Sequence, residues 1–329
     1  MKPYEYARPN DLDEALALLS DTWGETEILA GGTDLITCMK QHVTEPSRLV
    51  SLRDIEALRG ITVDDESVSI GAMTTLADVA AHAEVRTLYP AIVTAIEGIG
   101  AAQMVNAGTV GGDCCQRPRC WYFRTENGLL AQANGESLVP DGDNRYHAIF
   151  GNEAAAHFVS PSSLGPALIA LGAEMFITGP GGATRTVPAG DFFKRPESEA
   201  ERETVLAPNE ILVAIRILKL GLKNATYEVR HRAGLDWPYA TASVAFAYDD
   251  EKVSAARVVL GHVAPTPWSV PDAAAKLEGS AVTEKHAAAC GEAAIGGATP
   301  LSKNGYKLQL ARTAVKRALL AAAGSTKEA

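Results

Sequence analysis

Ala30-Gly31-Gly32-Thr33-Asp34-Leu35 and, much further along, Gly108-Thr109-Val110-Gly111-Gly112-Asp113 are two glycine-rich turns around which the rest of the chain is organised. Each follows an apolar segment and carries no bulky side chain that would hold another molecule off the backbone. Glycine permits positive φ and lets amide N–H groups approach anionic oxygens, and the Thr33 and Thr109 hydroxyls add donors. One Gly-Gly pair signals only a turn. Two of them, each edged by a threonine, point to one extended anionic ligand clasped between two segments.

The surroundings of both turns alternate between helix and strand patterns. Pro9-Asn10-Asp11-Leu12-Asp13-Glu14 opens an amphipathic helix, with Asn10 or Asp11 as its cap and acids in the first turn. Glu27 to Ala30 reads as a short buried strand, Leu35 to Lys40 as a short helix, and Arg48 to Leu52 as the next strand. Val68 to Ala72 is a strand, Thr75 caps a helix through Val79, and Tyr89 to Gly98 is a second amphipathic helix before the second glycine turn. Residues 117–157 are irregular, with the aromatic cluster Trp121-Tyr122-Phe123 near their start. A loop of that length inside a compact domain is usually functional. Ser163 is expected to cap a helix Leu164–Leu171, followed by a strand Glu174–Thr178.

Gly179-Pro180-Gly181-Gly182 is the best linker or turn in the chain, and a hairpin is its ordinary use. Beyond it, strands at Ile211–Leu218, Thr226–Arg230, Ala240–Tyr248 and Ala255–Leu260 run consecutively, which predicts antiparallel pairing among them. Helices near Glu284–Ile295 and Tyr306–Ala323 end the chain, and in the last one Leu308, Ala311, Val315, Ala318 and Leu319 share a face.

Composition excludes several classes. At 329 residues and 47% hydrophobic, the chain can bury a substantial core in two or three domains or subdomains. Its formal net charge of −10, without basic runs, argues against nucleic acid or an anionic membrane as partner. No apolar run approaches the ~20 residues that span a bilayer. The start, Met1-Lys2-Pro3-Tyr4-Glu5-Tyr6, has no apolar signal core. Five cysteines do not make a disulfide framework, so a cytoplasmic location is the plain expectation.

Side-chain chemistry is sparse. The G-x-G-x-x-G and G-x-x-x-x-G-K-[ST] fingerprints are absent. Cys114, Cys115 and Cys120 form C-C-x4-C, short of the four soft ligands a zinc or iron–sulfur site needs, so they read as inert or partly buried thiols. The seven histidines show no metal-binding spacing and no G-x-S-x-G is present. Arg230-His231-Arg232 is an anion-binding candidate that more often is simply solvated, and Trp237 either flanks a flat ring or packs in a core. The residues alone therefore describe a two-loop binder of a phosphate-bearing ligand whose cofactor supplies the chemistry.

Ile28-Leu29-Ala30-Gly31-Gly32-Thr33-Asp34-Leu35, then Asn106-Ala107-Gly108-Thr109-Val110-Gly111-Gly112-Asp113, then Pro161-Ser162-Ser163-Leu164-Gly165-Pro166 form an ordered set. That set, with Leu206-Ala207-Pro208-Asn209-Glu210-Ile211 and Gly261-His262-Val263-Ala264-Pro265, resembles the FAD-binding medium subunit of the molybdenum hydroxylases. The resemblance implies an α+β architecture: a PCMH-type FAD-binding fold of two α+β subdomains, then a smaller α+β C-terminal domain with an antiparallel sheet and terminal helices. The expected division is 1–178, with subdomains of about 1–56 and 57–178, and 183–329.

It further implies that Ile28 to Leu35 cradle the FAD diphosphate and that Gly108, Thr109, Gly111, Gly112 and Asp113 complete the clasp. Gly100 and Trp121 are carried over to the cofactor site as well. Ser163 stands where many relatives have an Asp near the ribityl or diphosphate, and Leu206 matches a position along the isoalloxazine. Glu228 falls where several relatives have a Lys near the flavin ring; a carboxylate there opposes a reduced anionic flavin. Some relatives hold a [4Fe-4S] cluster in the loop matching 117–157. Here only Cys120 matches a ligand position, so the loop is expected without the cluster.

By the same resemblance the chain is an oxidoreductase component with no catalytic residue and no metal of its own. It takes electrons from a small subunit carrying two [2Fe-2S] clusters, beside a large molybdopterin-binding subunit that oxidises the substrate. It passes them to an external acceptor, in a heterotrimer or a dimer of heterotrimers. Export would follow only a partner's signal. Two readings from other classes stand beside it: a stand-alone PCMH-type flavin oxidase or reductase, with Glu228, His231 and Asp236 as weak acid–base candidates, and a non-catalytic nucleotide-binding scaffold.

Overall fold

The computed structural model describes residues 1–232 and 236–324. Its first fifty-odd residues form a three-stranded parallel sheet in the order Glu5–Ala7, Arg48–Ser51, Thr26–Leu29. The helices Leu12–Ala17 and Leu35–Lys40 make the crossovers parallel strands require. Asp11 caps the first of them: its carboxylate accepts the Glu14 amide at 2.8 Å, and the Glu14 carboxylate accepts the Asn10 amide at 2.9 Å. The two bonds work like a capping box, with the return bond one residue earlier, on the amide before the cap. Val50, Leu52, Ile55 and Leu58 seal this layer against Met73 and Ile211.

A second sheet of five strands runs Ile61–Val63, Ser67–Gly71, Ile211–Leu218, Glu174–Thr178, Thr184–Pro188, each pair antiparallel. Ile211–Leu218 is its centre. The expectation that this strand pairs with the three that follow it is therefore corrected. Ile215 and Ile217 are wholly buried on the core face, while Arg216 on the other face donates to Glu174 at 2.6 and 2.9 Å across the pair. That cross-strand match fixes the register with Glu174–Thr178, which sequence adjacency alone does not reveal. The turn Gly179–Gly182, where a division of the chain was expected, joins two neighbouring strands of this one sheet, with Gly181 and Gly182 at φ +67° and +75°. The change to the last sheet comes after Leu218, at the turn holding Gly221 (φ +64°).

The last sheet holds Lys223–Val229, Ala240–Asp249, Lys252–Gly261 and Trp268–Ser269, all antiparallel. The helices Glu284–Ala294 and Lys307–Ala322 cover one face with Ala311, Ala314, Val315, Ala318 and Leu319. Small residues let the long helix lie close against the sheet. Helix Gly165–Leu171 reaches the other face, so both larger sheets share one wall. Residues 117–157 carry only the short helix Trp121–Arg124 and a two-residue ladder, Gln132–Ala133 with Glu136–Ser137.

One cap differs from expectation. Ser162, not Ser163, caps the helix Gly165–Leu171: its hydroxyl oxygen accepts the Gly165 amide at 2.9 Å while its proton goes to Asp113 at 2.6 Å. Ser162→Ala is expected to cost about 1–3 kcal/mol. Ser163→Ala, whose hydroxyl makes no hydrogen bond among the described residues, is expected to cost well under that. Urea unfolding of the two variants checks the ordering.

Candidate functional site

The strand Thr26–Leu29 delivers its chain end to the first glycine turn, and Gly32 turns it at φ +75° into the helix Leu35–Lys40. The amides of Gly31, Gly32, Thr33 and Asp34 have no acceptor among the described residues, and neither does the Thr33 hydroxyl. The second turn is built differently. Its Thr109 oxygen accepts the Gly112 amide at 3.1 Å and so caps the helix Val110–Cys115. The amides of Gly108, Val110, Gly111 and Asp113 are taken by Met104, Thr74, Ala72 and Thr109 carbonyls at 2.7–3.1 Å. The first turn offers donors; the second is a stitched wall.

The two turns touch. A Cβ on Gly31 would overlap the carbonyl oxygen of Ala107, and Gly108 Cα lies 3.1 Å from that position. Their junction divides a cleft into two compartments, of about 190 and 240 Å³, that share Thr33, Asp34, Thr109, Gly112 and Gln116. Ile28, Ala30, Gly31, Gly32, Leu35, Gly111 and Leu206 line the first. Gly108, Asp113 and Ser163 line the second, beside Ile99, Arg230 and Trp237.

Four of the expected residues lie elsewhere. Leu29 faces the Gly32 side of the turn and lines neither compartment. Gly100 turns the chain at φ +66° between helices. Trp121 stands in a third cavity beyond the second compartment. Glu228 is buried beneath Gly98 and ion-paired with Arg230, whose Nε donates to it at 3.1 Å. Burial pushes its pKa up, Arg230 works against that, and nearby Asp113 adds to it. Its other oxygen has no partner among the described residues. Leu206 and Glu228, both expected beside one ring, do not share a compartment.

Both turn aspartates point into the protein. Asp34 accepts the Arg117 amide at 2.8 Å and pairs with Arg124 at 2.8 Å and Arg119 at 3.0 Å. Burial alone would raise its pKa, but the two guanidinium groups and the amide outweigh it and hold the carboxylate below its usual range. Asp113 accepts from Ser162, from the Leu164 and Ser163 amides at 3.0 and 3.3 Å, and from Gln116 at 3.0 Å. Asp34 thus anchors the start of the 117–157 loop and Asp113 anchors the helix behind the second turn.

Within that loop, Cys120 Sγ stands 3.1 Å from His147 Nε2. Cys114 is buried and Cys115 half-buried, and desolvation pushes both thiols up, Cys115 to about 12. Among the described residues no group of three or more His, Cys, Asp or Glu side chains is arranged to hold a metal ion. Sequence reasoning did not find Lys307, Arg119 or His262 as site residues. Lys307 is 1% exposed and donates to the Tyr146 and His262 carbonyls at 2.9 Å each. Its one sequence signal is position: it stands four residues before Ala311 and continues that helix's apolar stripe.

Comparison with known proteins follows the same outline. Residues 2–217 match the family model described as the FAD binding domain in molybdopterin dehydrogenase, and residues 225–322 match the CO dehydrogenase flavoprotein C-terminal domain. The chain is 31% identical to the aldehyde oxidoreductase FAD-binding subunit PaoB of Escherichia coli, over 95% of this chain and 96% of that one. It is 31% identical to the carbon monoxide dehydrogenase medium chain of Hydrogenophaga pseudoflava, over 97% and 96%. A solved carbon monoxide dehydrogenase from the latter organism superposes with a TM-score of 0.77 at 29% identity, covering 99% of each chain.

Two outcomes test this geometry. Gly31→Ala forces Ala107 aside and is expected to lower the flavin retained per purified chain about tenfold or more, read by absorbance. Gly190→Ala, where a Cβ meets only Ile169 at 3.9 Å, is expected to leave it unchanged. The second outcome is a pH profile. Burial, with Lys307 nearby, pushes His147 and His262 down to about 4 and about 3, and burial pushes Lys307 down to about 7. The unfolded chain binds all three protons more tightly, near 6.5 for His and 10.4 for Lys. Stability is therefore expected to fall as pH drops from about 6.5 toward 4, and to rise between about 7 and 10. Urea midpoints across pH check this, with Lys307→Met losing the alkaline rise and His262→Gln part of the acid fall.

Proposed function

The chain belongs to the FAD-binding subunits of the molybdenum hydroxylases, and we propose that it is the electron-exit subunit of such a complex. Its partners are then a large molybdopterin-binding subunit and a small subunit with [2Fe-2S] clusters, assembled as a heterotrimer or a dimer of heterotrimers. An external acceptor takes the electrons, and the complex works in the cytoplasm unless a partner's signal exports it.

The observation that carries this reading is the pairing of a donor-rich turn with a donor-poor one at backbone contact distance. Free amides at Gly31–Asp34 suit the oxygens of a diphosphate, and the Thr33 hydroxyl adds a donor. The stitched second turn resists displacement, so the cleft keeps its width when a ligand enters. FAD, when bound, supplies the exchange of electrons singly or in pairs. The chain's own residues hold and orient it. The first compartment takes the diphosphate at Ala30–Leu35, with Leu206 on its wall. The second, between Ile99, Arg230 and Trp237, takes the other end. Asp34 and Asp113, both turned inward, brace the two sides, and no residue is assigned a proton-transfer step.

The acid–base candidates of a stand-alone oxidase are otherwise occupied. Glu228 is buried against Arg230, the Asp236 carboxylate is held by Arg232 at 2.9 and 3.0 Å, and the His231 side chain is 74% exposed. The chain tagged and purified from its native host is expected to bring down two further subunits, with molybdenum and iron in the eluate. Expressed alone, it is expected to hold FAD and reduce dyes from an artificial donor without turning over an organic substrate. Turnover of an aldehyde or other organic substrate by the isolated chain would favour the stand-alone oxidase instead.

A further inference from the structure

The third cavity, of about 530 Å³, adjoins the second compartment and shares Arg119, Asp236 and Trp237 with it. Its walls are rings. Trp121 meets Tyr146 edge-on at 5.3 Å, Tyr146 stacks on Tyr239 at 5.5 Å, and Trp237 lies 6.2 Å from the His262 ring. Its floor holds buried polar side chains whose hydrogen-bonding capacity is not all used among the described residues. Lys307 uses two N–H groups on the Tyr146 and His262 carbonyls, and the third has no acceptor among the described residues.

His262 is 2% exposed; its Nδ1 meets the Thr241 hydroxyl at 3.0 Å, while Nε2 has no partner in good hydrogen-bond geometry among the described residues, with the Pro161 backbone the nearest acceptor. His147, 3% exposed, leaves Nδ1 in the same position beside the Asn144 backbone, and Arg119 leaves Nε without a partner among the described residues. Asp236 is the one carboxylate among the described residues lining the cavity, and Arg232 already holds it. Burying polar groups in this way costs free energy that an incoming acceptor oxygen would recover.

We propose that this cavity binds the ring of a quinone-class molecule, its carbonyl oxygen directed to Lys307 and His262 and its ring held among Trp121, Tyr146 and Trp237. Flat walls select a planar ring, and the Lys307 ammonium and Arg119 Nε–H, both donors, select an acceptor oxygen. Adjacency adds the third argument. Arg119, Asp236 and Trp237 line both this cavity and the compartment assigned above to the far end of the cofactor, so a ring held here adjoins it. The inference rests on the electron-exit reading and names the chemical class of its external acceptor.

Trp121 and Trp237 provide the readout. Titrating the full-length, FAD-loaded chain with menadione is expected to give saturable tryptophan quenching and calorimetric heat for one site. Lys307→Met is expected to weaken that binding about tenfold or more. Should that variant fail to fold by far-ultraviolet circular dichroism, Trp121→Leu carries the test, with a several-fold weakening expected. Naphthoate binding as tightly as menadione, or an unchanged menadione affinity in the folded variants, overturns the assignment. No saturable binding by a chain that retains FAD also overturns it and leaves the electron-exit reading standing. A chain that binds menadione but cannot hold FAD overturns the electron-exit reading and with it the ring's role as acceptor.

Discussion

Gly31 and Ala107 meet backbone to backbone, without room for a single added methyl group between them. Everything on either side of the cleft depends on that approach. It holds the parallel sheet at the start of the chain against the helical end of the central sheet, and it brings two turns from distant parts of the chain to one line. Because the contact is between main-chain atoms, no other side chain fits at Gly31, and the amides beyond it face outward rather than into the protein. A ligand that needs donors along an extended anionic bridge meets them there already in place, so little ordering remains to be done on binding.

The division of labour between the two turns follows from what each precedes. The second opens the helix Val110–Cys115, and its threonine must cap that helix, so its polar groups are spent locally. The first opens a helix whose cap residue, Asp34, makes no capping bond at all. Its carboxylate instead reaches Arg119, Arg124 and the Arg117 amide, tying down the loop that begins there. Asp113 makes the corresponding tie to the helix Gly165–Leu171. Two acids at the edge of an anion site would repel their ligand if they faced it. Turned inward, Asp34 onto arginines and Asp113 onto a hydroxyl and amides, they fix the loops and leave the amides of the first turn free of both carboxylates.

Much of this was legible in the chain. Helices such as Leu35–Lys40 and strands such as Glu174–Thr178 carry local signals, caps and apolar periods, that need no partner to be read. The close meeting of the glycine turns was legible because such an approach demands a missing side chain. Three things were not. The place of Ile211–Leu218 depends on the match between Arg216 and Glu174, a long-range pairing that a run of consecutive strands conceals. The cap at Ser162 differs from Ser163 by one residue, a step that helix patterns do not resolve. The inward turn of Asp34 and Asp113 depends on arginines, a serine and helix amides supplied from later in the chain, so their residue type suggested ligand contact where the fold uses them as braces.

Lys307 shows why the polar interior on the far side of the cleft is least legible and most informative. A lysine in an apolar helical stripe ordinarily extends its stem and keeps its charge in water. Here the helix Lys307–Ala322 lies too close to the sheet for that, since alanines at 311, 314 and 318 bring the backbones together. The ammonium must end among carbonyls, and the sequence supplies no carboxylate to meet it. A core under selection for stability alone would place a methionine or leucine at such a position, because burying an unpaired cation is costly. Two buried histidines with an unmatched nitrogen each stand in the same wall, so the cost is repeated rather than incidental. Such a cluster is coherent where something bearing acceptor oxygens completes it, and all of these groups line one cavity.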